Sequence, residues 1–351
     1  DRVLIAVGQQ RYDPEVVNLL WKLQEEYQIP VMGDVLANLP EGFIRNQDFF
    51  LVGANETLQP DLLITCGESF ISKNLKMFFR KYSPQIHIHL SFSDYLIDPF
   101  QTLTQQIAVG EGYFFKTLLE ELDRLAFQTG DEERDEAFLS NWQQADRKAK
   151  AVMEQAWDTE FGEFTAVRQV FEKLPSPSQL HLANSMSVRY GNYIGVKNGV
   201  EVFSNRGTSG IDGCMSTAVG AAQITRQLVF LLIGDVAFFY DRNALWHPHV
   251  PDNLRIIVLN NAGGSIFRMI EGPRQQPELE QYFETQHNLS AKQTAEEFNL
   301  NYWQVETQQE LEQALPAFMK DDQKAKLLEI STSAVLNQHF FDEFKRKAKE
   351  L

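Results

Sequence analysis

FLLIGDVAFFYDRNALWH, Phe230 to His247, is followed closely by LRIIVLNNAGGSIFRMI, Leu254 to Ile270. Each opens as a short apolar run of the kind that forms a buried strand of a parallel sheet. Each then breaks into small and polar residues, Gly234-Asp235 in the first and Asn260-Asn261-Ala262-Gly263-Gly264 in the second. In a doubly wound sheet, ligands bind beyond the carboxyl ends of the strands, and Asp235 and Asn261 both fall at such ends. They are 26 positions apart, which leaves room for one helix and a return strand and sets the two side chains side by side. A carboxylate, an amide oxygen and a carbonyl from a glycine-rich turn make a hard oxygen set, suited to Mg²⁺ that also keeps water and phosphate oxygens. Glycines let backbone N–H groups approach phosphate, and a following helix N-terminus adds favourable potential. Taken singly, Asp235 also reads as a helix N-cap and NNAGG as an ordinary loop. In this order and at this spacing they read together as the holder of a metal–diphosphate unit.

Outward from this pair, the same pattern extends in both directions. EFTAVRQVFEKLP reads as a helix stopped by Pro175, and QLHLANSMSVRYGNYIG as a strand running into a Ser/Arg loop. VEVFSNRGTSGIDGCMSTAVGAAQIT reads as a strand, a glycine-rich loop and a small-residue helix; QLVFLLIGDVAFFYD, LRIIVLNNAGGSIF and KAKLLEIST supply further strands. Towards the N-terminus, RVLIAVG, IPVMGDVL, PDLLITCGESF and QIHIHLS read as strands, between which PEVVNLLWKLQEEYQ and SKNLKMFFRKY have helical periodicity. VGQQRYDP after the first strand does not fit the GxGxxG dinucleotide fingerprint. Strands alternating with helices over short loops predict an α/β fold with two doubly wound parallel-sheet domains. The expected boundaries are a central Rossmann-like domain over 1–129, a helical linker over 130–159 that begins with the acidic run DEERDE, and a cofactor-binding domain over 160–351.

Composition narrows the partners. The chain has 351 residues and a net charge of -16, from 32 Lys+Arg against 48 Asp+Glu. That balance argues against a nucleic-acid or anionic-membrane surface, and no stretch has the apolar length of a membrane span. Two cysteines, Cys66 and Cys214, in a chain this long point to a reducing compartment and a cytoplasmic protein.

The wider pattern resembles a known family. NSMSVRY (Asn184 to Tyr190), SNRGTSGIDG (Ser204 to Gly213), GDVAFFYDRNAL and NNAGGSIF are similar to the 2-succinyl-5-enolpyruvyl-6-hydroxy-3-cyclohexene-1-carboxylate synthases of menaquinone biosynthesis, which are thiamine diphosphate-dependent transferases. The resemblance covers the whole second domain and, more loosely, the first. It implies thiamine diphosphate, with Mg²⁺ or Mn²⁺ held by Asp235, Asn261 and the Gly263 carbonyl; Gly234, Val236 and Gly264 complete the cofactor site. It implies that Ile211 is the apolar residue that bends the cofactor, that Ser185, Arg189 and Arg206 face the substrates from loops that follow strands, and that Ile266 and Phe267 wall the reacting carbon. Lys73 corresponds to a substrate-facing lysine of the central domain. The reaction implied is decarboxylation of 2-oxoglutarate and conjugate addition of the resulting carbanion to isochorismate. Both substrates are polyanions, for which arginine forks supply paired, charge-assisted bonds. The superfamily's usual GDG is here Gly234-Asp235-Val236, a departure that argues against the commonest 2-oxoacid decarboxylase and acetohydroxyacid synthase branches. Those branches, and a non-catalytic anion-binding α/β module, remain the alternatives.

The resemblance also implies a pyrimidine-binding domain that carries the activating glutamate and precedes the central domain. The expectation is that this chain holds only the central and diphosphate-binding domains, is inactive alone, and forms a dimer or tetramer as the intact protein.

Overall fold

The computed structural model describes residues 2–129, 136–155 and 160–351. The chain divides into two compact units, Asp1–Gln155 with Lys347–Leu351, and Ala156–Arg346. Of the expected acidic run, residues 131–135 lie outside the described residues.

The first unit runs β1 (Val3–Val7), α1 (Pro14–Tyr27), β2 (Val31–Gly33), α2 (Gln47–Phe50), β3 (Leu62–Cys66), α3 (Lys73–Lys81), β4 (Ile86–Leu90), β5 (Gln105–Ile107), α4 (Glu111–Thr129) and α5 (Glu136–Gln155). Its sheet has the order β2-β1-β3-β4-β5, with every pairing parallel. Helix α1 begins with Pro14 after Asp13, whose carboxylate accepts from the amides of Glu15 and Val16. Helix α5 corrects the expectation of a linker. Its Phe138, Leu139, Trp142, Ala149 and Met153 are buried, and Trp142 meets Phe50, Phe78 and Phe138 edge to face. Burial of that apolar face makes α5 part of the first unit's core.

The second unit runs α6 (Glu163–Lys173), β6 (Ser178–Leu182), α7 (Met186–Ile194), β7 (Val200–Phe203), α8 (Cys214–Ile224), β8 (Leu228–Gly234), α9 (Asp235–Asp241), β9 (Leu254–Asn260), α10 (Ile266–Met269), α11 (Lys292–Glu297), β10 (Asn301–Val305), α12 (Gln308–Met319), β11 (Lys326–Ser331) and α13 (Ala334–Lys349). Its sheet order is β10-β11-β9-β8-β6-β7, again all parallel. The chain steps from β6 outward to β7, then returns past β6 to β8, so the strand order reverses between β6 and β8. Strand β8 stops at Gly234, where the apolar run breaks, and Ala237, Phe238 and Asp241 of α9 turn inward at helical spacing. Phe230, Leu231, Leu232 and Ile233 of β8 and Ile256, Ile257 and Val258 of β9 have no exposed surface. Each such side chain contributes about 1.5–3 kcal/mol by leaving water. Helix α8 lays Met215, Ala218 and Ala222 against this core; its small residues let it lie close to the sheet. Among the described residues, no helix is long and apolar enough to cross a membrane.

Candidate functional site

The strand reversal between β6 and β8 creates a crevice at their carboxyl ends, and the expected residues lie around it. The register pairs Gly234 with Leu259, so Asp235 on α9 and Asn261 after β9 project from adjacent strand ends. Asp235 is 2% exposed. Its Oδ1 accepts from the amide of Val236 at 2.7 Å, and its Oδ2 from the amides of Asn261 and Gly263 at 3.2 and 2.9 Å. Burial pushes its carboxyl up to about 6, against the pull of those amides. His287 Nε2 stands 3.4 Å from Oδ2, and burial lowers this imidazole's pKa.

The Asn260–Gly264 turn is braced from outside. Gly264 donates its amide to Glu284 O at 2.7 Å, and His287 donates its amide to Ala262 O at 3.1 Å. A Cβ on Gly263 would stand 2.7 Å from Glu284 O, so only glycine lets the two backbones meet. Glu284 is itself held by Arg268, Nε to Oε1 at 2.5 Å. Phe267 packs over Gly264 and tilts against Phe283, with Ile266 half-buried beside it.

Asn261 Nδ2 donates to Glu163 Oε1 at 2.5 Å, while its Oδ1 is buried with no hydrogen-bond partner. A buried amide oxygen without a donor calls for a ligand. Beside a carboxylate and a tight glycine turn, it forms a hard-oxygen donor set that fits a divalent cation. Among the described residues, no cluster of three or more His, Cys, Asp or Glu side chains could hold a metal; the donor set here has one carboxylate.

On the β6 side, Ser185 has φ +74°, a strained backbone for a residue with a Cβ and a common mark of a functional position. The Ser/Arg segment expected as a loop is helix α7, which begins directly after Ser185. The strained turn reverses the chain in one residue, and buried Val188 and Tyr190 give the helix an inward face. Arg189 therefore sits on a helix, one turn beyond Ser185, and donates Nη1 to Ser185 O at 2.5 Å. Arg206 does lie in a loop after a strand, and donates Nη1 to Asn184 Oδ1 at 2.6 Å. Asn184 in turn donates Nδ2 to Asn205 O and Gly210 O at 2.8 and 2.7 Å, so one buried amide ties the Ser204–Gly213 loop to the end of β6. Ile211, partly buried, packs against the hydrophobic core of the second unit. Gly207, Gly210, Gly213 and Ser216 border an open cleft of about 670 Å³ ahead of α8.

The structure thus groups Asp235, Asn261, Gly263 and Gly264 in one turn-and-helix junction that also holds Gly234 and Val236, and gathers Ser185, Arg189 and Arg206 around Asn184. Lys73 belongs to the first unit, exposed at the start of α3. The sequence reading missed Glu163, His287 and Asn184. Glu163 lies 98 positions from Asn261, in a first helical turn where an acid is commonplace. Asn184 was visible as the residue that ends a strand, the same signal that marked Asp235.

Residues 158–330 match the C-terminal TPP-binding domain of the thiamine pyrophosphate (thiamine diphosphate) enzymes. Along 99% of its length the chain is 40% identical to the 2-succinyl-5-enolpyruvyl-6-hydroxy-3-cyclohexene-1-carboxylate synthase of Cytophaga hutchinsonii, covering 62% of that protein. It is 35% identical over 95% of its length to the synthase of the same name from Flavobacterium psychrophilum, and 32% over 98% to that of Christiangramia forsetii, covering 60% of each. The chain thus spans about 60% of the length of the curated relatives it matches.

Proposed function

We propose that this chain is part of a thiamine diphosphate- and Mg²⁺- or Mn²⁺-dependent synthase of menaquinone biosynthesis. The substrates are 2-oxoglutarate and isochorismate, and the product is the compound for which its relatives are named. The observation that carries the reading is the buried, unpartnered Asn261 Oδ1 beside the Asp235 carboxylate at adjacent strand ends. Asp235, Asn261 Oδ1 and the Gly263 carbonyl would hold the metal. The Gly234–Val236 and Gly263–Gly264 backbones would approach the diphosphate, and Ile211 would pack under the cofactor. Bound thiamine diphosphate supplies the electron sink that decarboxylation of a 2-oxo acid requires. The protein's part is to bind and orient. Arg189 and Arg206 would take substrate carboxylates, Ser185 would donate a hydrogen bond, and Ile266 with Phe267 would keep water from the reacting carbon. In this reading the first unit is the central domain, contributing Lys73, and the second is the diphosphate domain. The intact protein is, in this reading, a homo-oligomer, and it is cytoplasmic, a compartment that the two free, buried thiols support.

The test supplies the intact protein with thiamine diphosphate, Mg²⁺ and 2-oxoglutarate, and follows CO₂ release and isochorismate loss together. The expected result is coupled consumption of both. CO₂ release indifferent to isochorismate would leave a 2-oxoacid decarboxylase, and absence of metal-dependent cofactor binding would leave an anion-binding module.

A further inference from the structure

Glu163 is 1% exposed and bonded through both backbone and side chain. Its amide donates to Asn337 Oδ1 at 3.0 Å, and Asn337 donates Nδ2 to Thr332 Oγ1 at 3.1 Å. The Thr332 amide reaches Asn260 O at 2.9 Å, so the Glu163 main chain is tied to the strand end that carries the site. Of its carboxylate oxygens, Oε2 accepts from Tyr190 OH at 2.8 Å and Oε1 from Asn261 Nδ2 at 2.5 Å. A carboxylate only accepts, whereas an amide has one face that donates and one that accepts. Opposite Glu163 in its carboxylate form, the Asn261 amide has one satisfactory orientation: Nδ2 towards the carboxylate, Oδ1 away from it. The flipped amide would set oxygen against oxygen.

We infer that Glu163 is a positioning residue that fixes the Asn261 amide with its oxygen facing the cation, and so decides whether that side chain is a metal ligand or a repelling N–H₂ group. The inference rests on the proposed metal–diphosphate reading of the site. It requires no contact between Glu163 and substrate. A purely structural Glu163 would anchor α6 to α7 through Tyr190 and leave metal affinity alone.

A polarity swap separates the two roles, with Mn²⁺ binding read by electron paramagnetic resonance in the presence of thiamine diphosphate. In E163Q the glutamine amide faces the donors of Asn261, Tyr190 and Thr332 with one acceptor, and binding should weaken about 10–100-fold, the usual cost of losing a group that orients a ligand. In N261D two carboxylates confront each other and binding should also weaken. In the double variant the glutamine donates to the new carboxylate and accepts from Tyr190, leaving one carboxylate oxygen for the metal, so binding should recover most of the loss. Y190F, which keeps the bond to Asn261, should bind Mn²⁺ like the wild type even if it melts earlier. The inference is overturned if E163Q stays within about threefold of wild type, or if the double variant shows the two losses simply added. Asp235→Ala distinguishes this from failure of the underlying reading. If the wild type takes up Mn²⁺ and Asp235→Ala does not, the metal site stands whatever E163Q shows. A wild type that takes up no Mn²⁺ with the cofactor present removes both.

Discussion

Asp235 keeps a carboxylate 2% exposed on three backbone amides, and that arrangement makes it sensitive to substitution in a specific way. Asp235→Ala removes a proposed metal donor and leaves the amides of Asn261 and Gly263 without their acceptor. Metal-dependent thiamine diphosphate binding, followed by tryptophan fluorescence or calorimetry, should be abolished in a chain that still folds. Retained binding would exclude the proposed donor set. Two histidines give a second prediction at this scale. His87, held by Thr65 and Thr102 through its two ring nitrogens, and His181, stacked on Phe203, are each lowered by burial to about 4. Below the ordinary pKa near 6.5 the unfolded chain takes up protons that the folded imidazoles refuse. Stability is therefore complete above about pH 6.5 and declines as pH falls towards 4, by roughly 2–3 kcal/mol per histidine. His87→Gln should flatten the denaturation midpoint between those pH values, and an unchanged slope would show that His87 is not held neutral. Asp235 and Asn261 were legible in the sequence because their signal is local, an oxygen side chain beside glycine after an apolar run. Glu163 was not, since its role depends on a partner that only the sheet order brings near.

The end of the second sheet away from the site is organised around one helix terminus. Arg255 on β9 and Lys326 on β11 have no exposed surface, and both point at the carboxyl end of α12. Arg255 donates Nε to Phe318 O at 3.0 Å and Nη2 to Lys320 O at 2.6 Å. Lys326 Nζ reaches Ala317 O and Lys320 O at 2.7 and 2.6 Å. Carbonyls left open by the last helical turn thus receive charged donors where the helix dipole favours positive charge. Arg255→Met should cost about 3 kcal/mol and lower Tm by roughly 6–12 °C for a unit of this size, because the freed carbonyls stay buried. A change under about 1 kcal/mol would mean that water replaces the guanidinium. Strands with long apolar runs were legible at this scale. Helix α7 was not: Asn184, Ser185, Ser187 and Gly191 carry loop signals, and only burial of Val188 and Tyr190 against the sheet converts the segment into a helix.

Both units place a reversal of strand order where the fold favours a ligand, yet they treat it differently. In the first unit the loops after β1 and β3 bond to each other, with Gly8 N to Cys66 O at 2.8 Å, Glu68 N to Gln9 O at 2.8 Å and Gln9 N to Ser69 O at 2.9 Å. A Cβ on Gly8 would meet Glu68 O at 2.8 Å, so backbone fills that crevice. In the second unit the corresponding ends carry Ser185 and Asp235, around which the proposed site lies. Mg²⁺ with thiamine diphosphate at about 100 times its Kd should therefore stabilise the second unit by roughly 2.7 kcal/mol, reversed by a chelator. Scanning calorimetry with no shift on adding both would exclude the site. The α/β class and the parallel sheets were legible from alternation alone; the closure of the first crevice was not, because it depends on two glycines meeting across the sheet. The inaccessible centre of β8 and β9 has a further consequence, visible in exchange of amide protons with deuterium. Their amides should be among the last in the second unit to exchange, as far as Gly234 and Asn260, and protection should fall within a residue or two beyond. The proposed metal donors, Asp235, Asn261 and Gly263, thus sit just past the part of the unit that opens least often, so the donor set is open to local fraying while the strands that carry it stay closed.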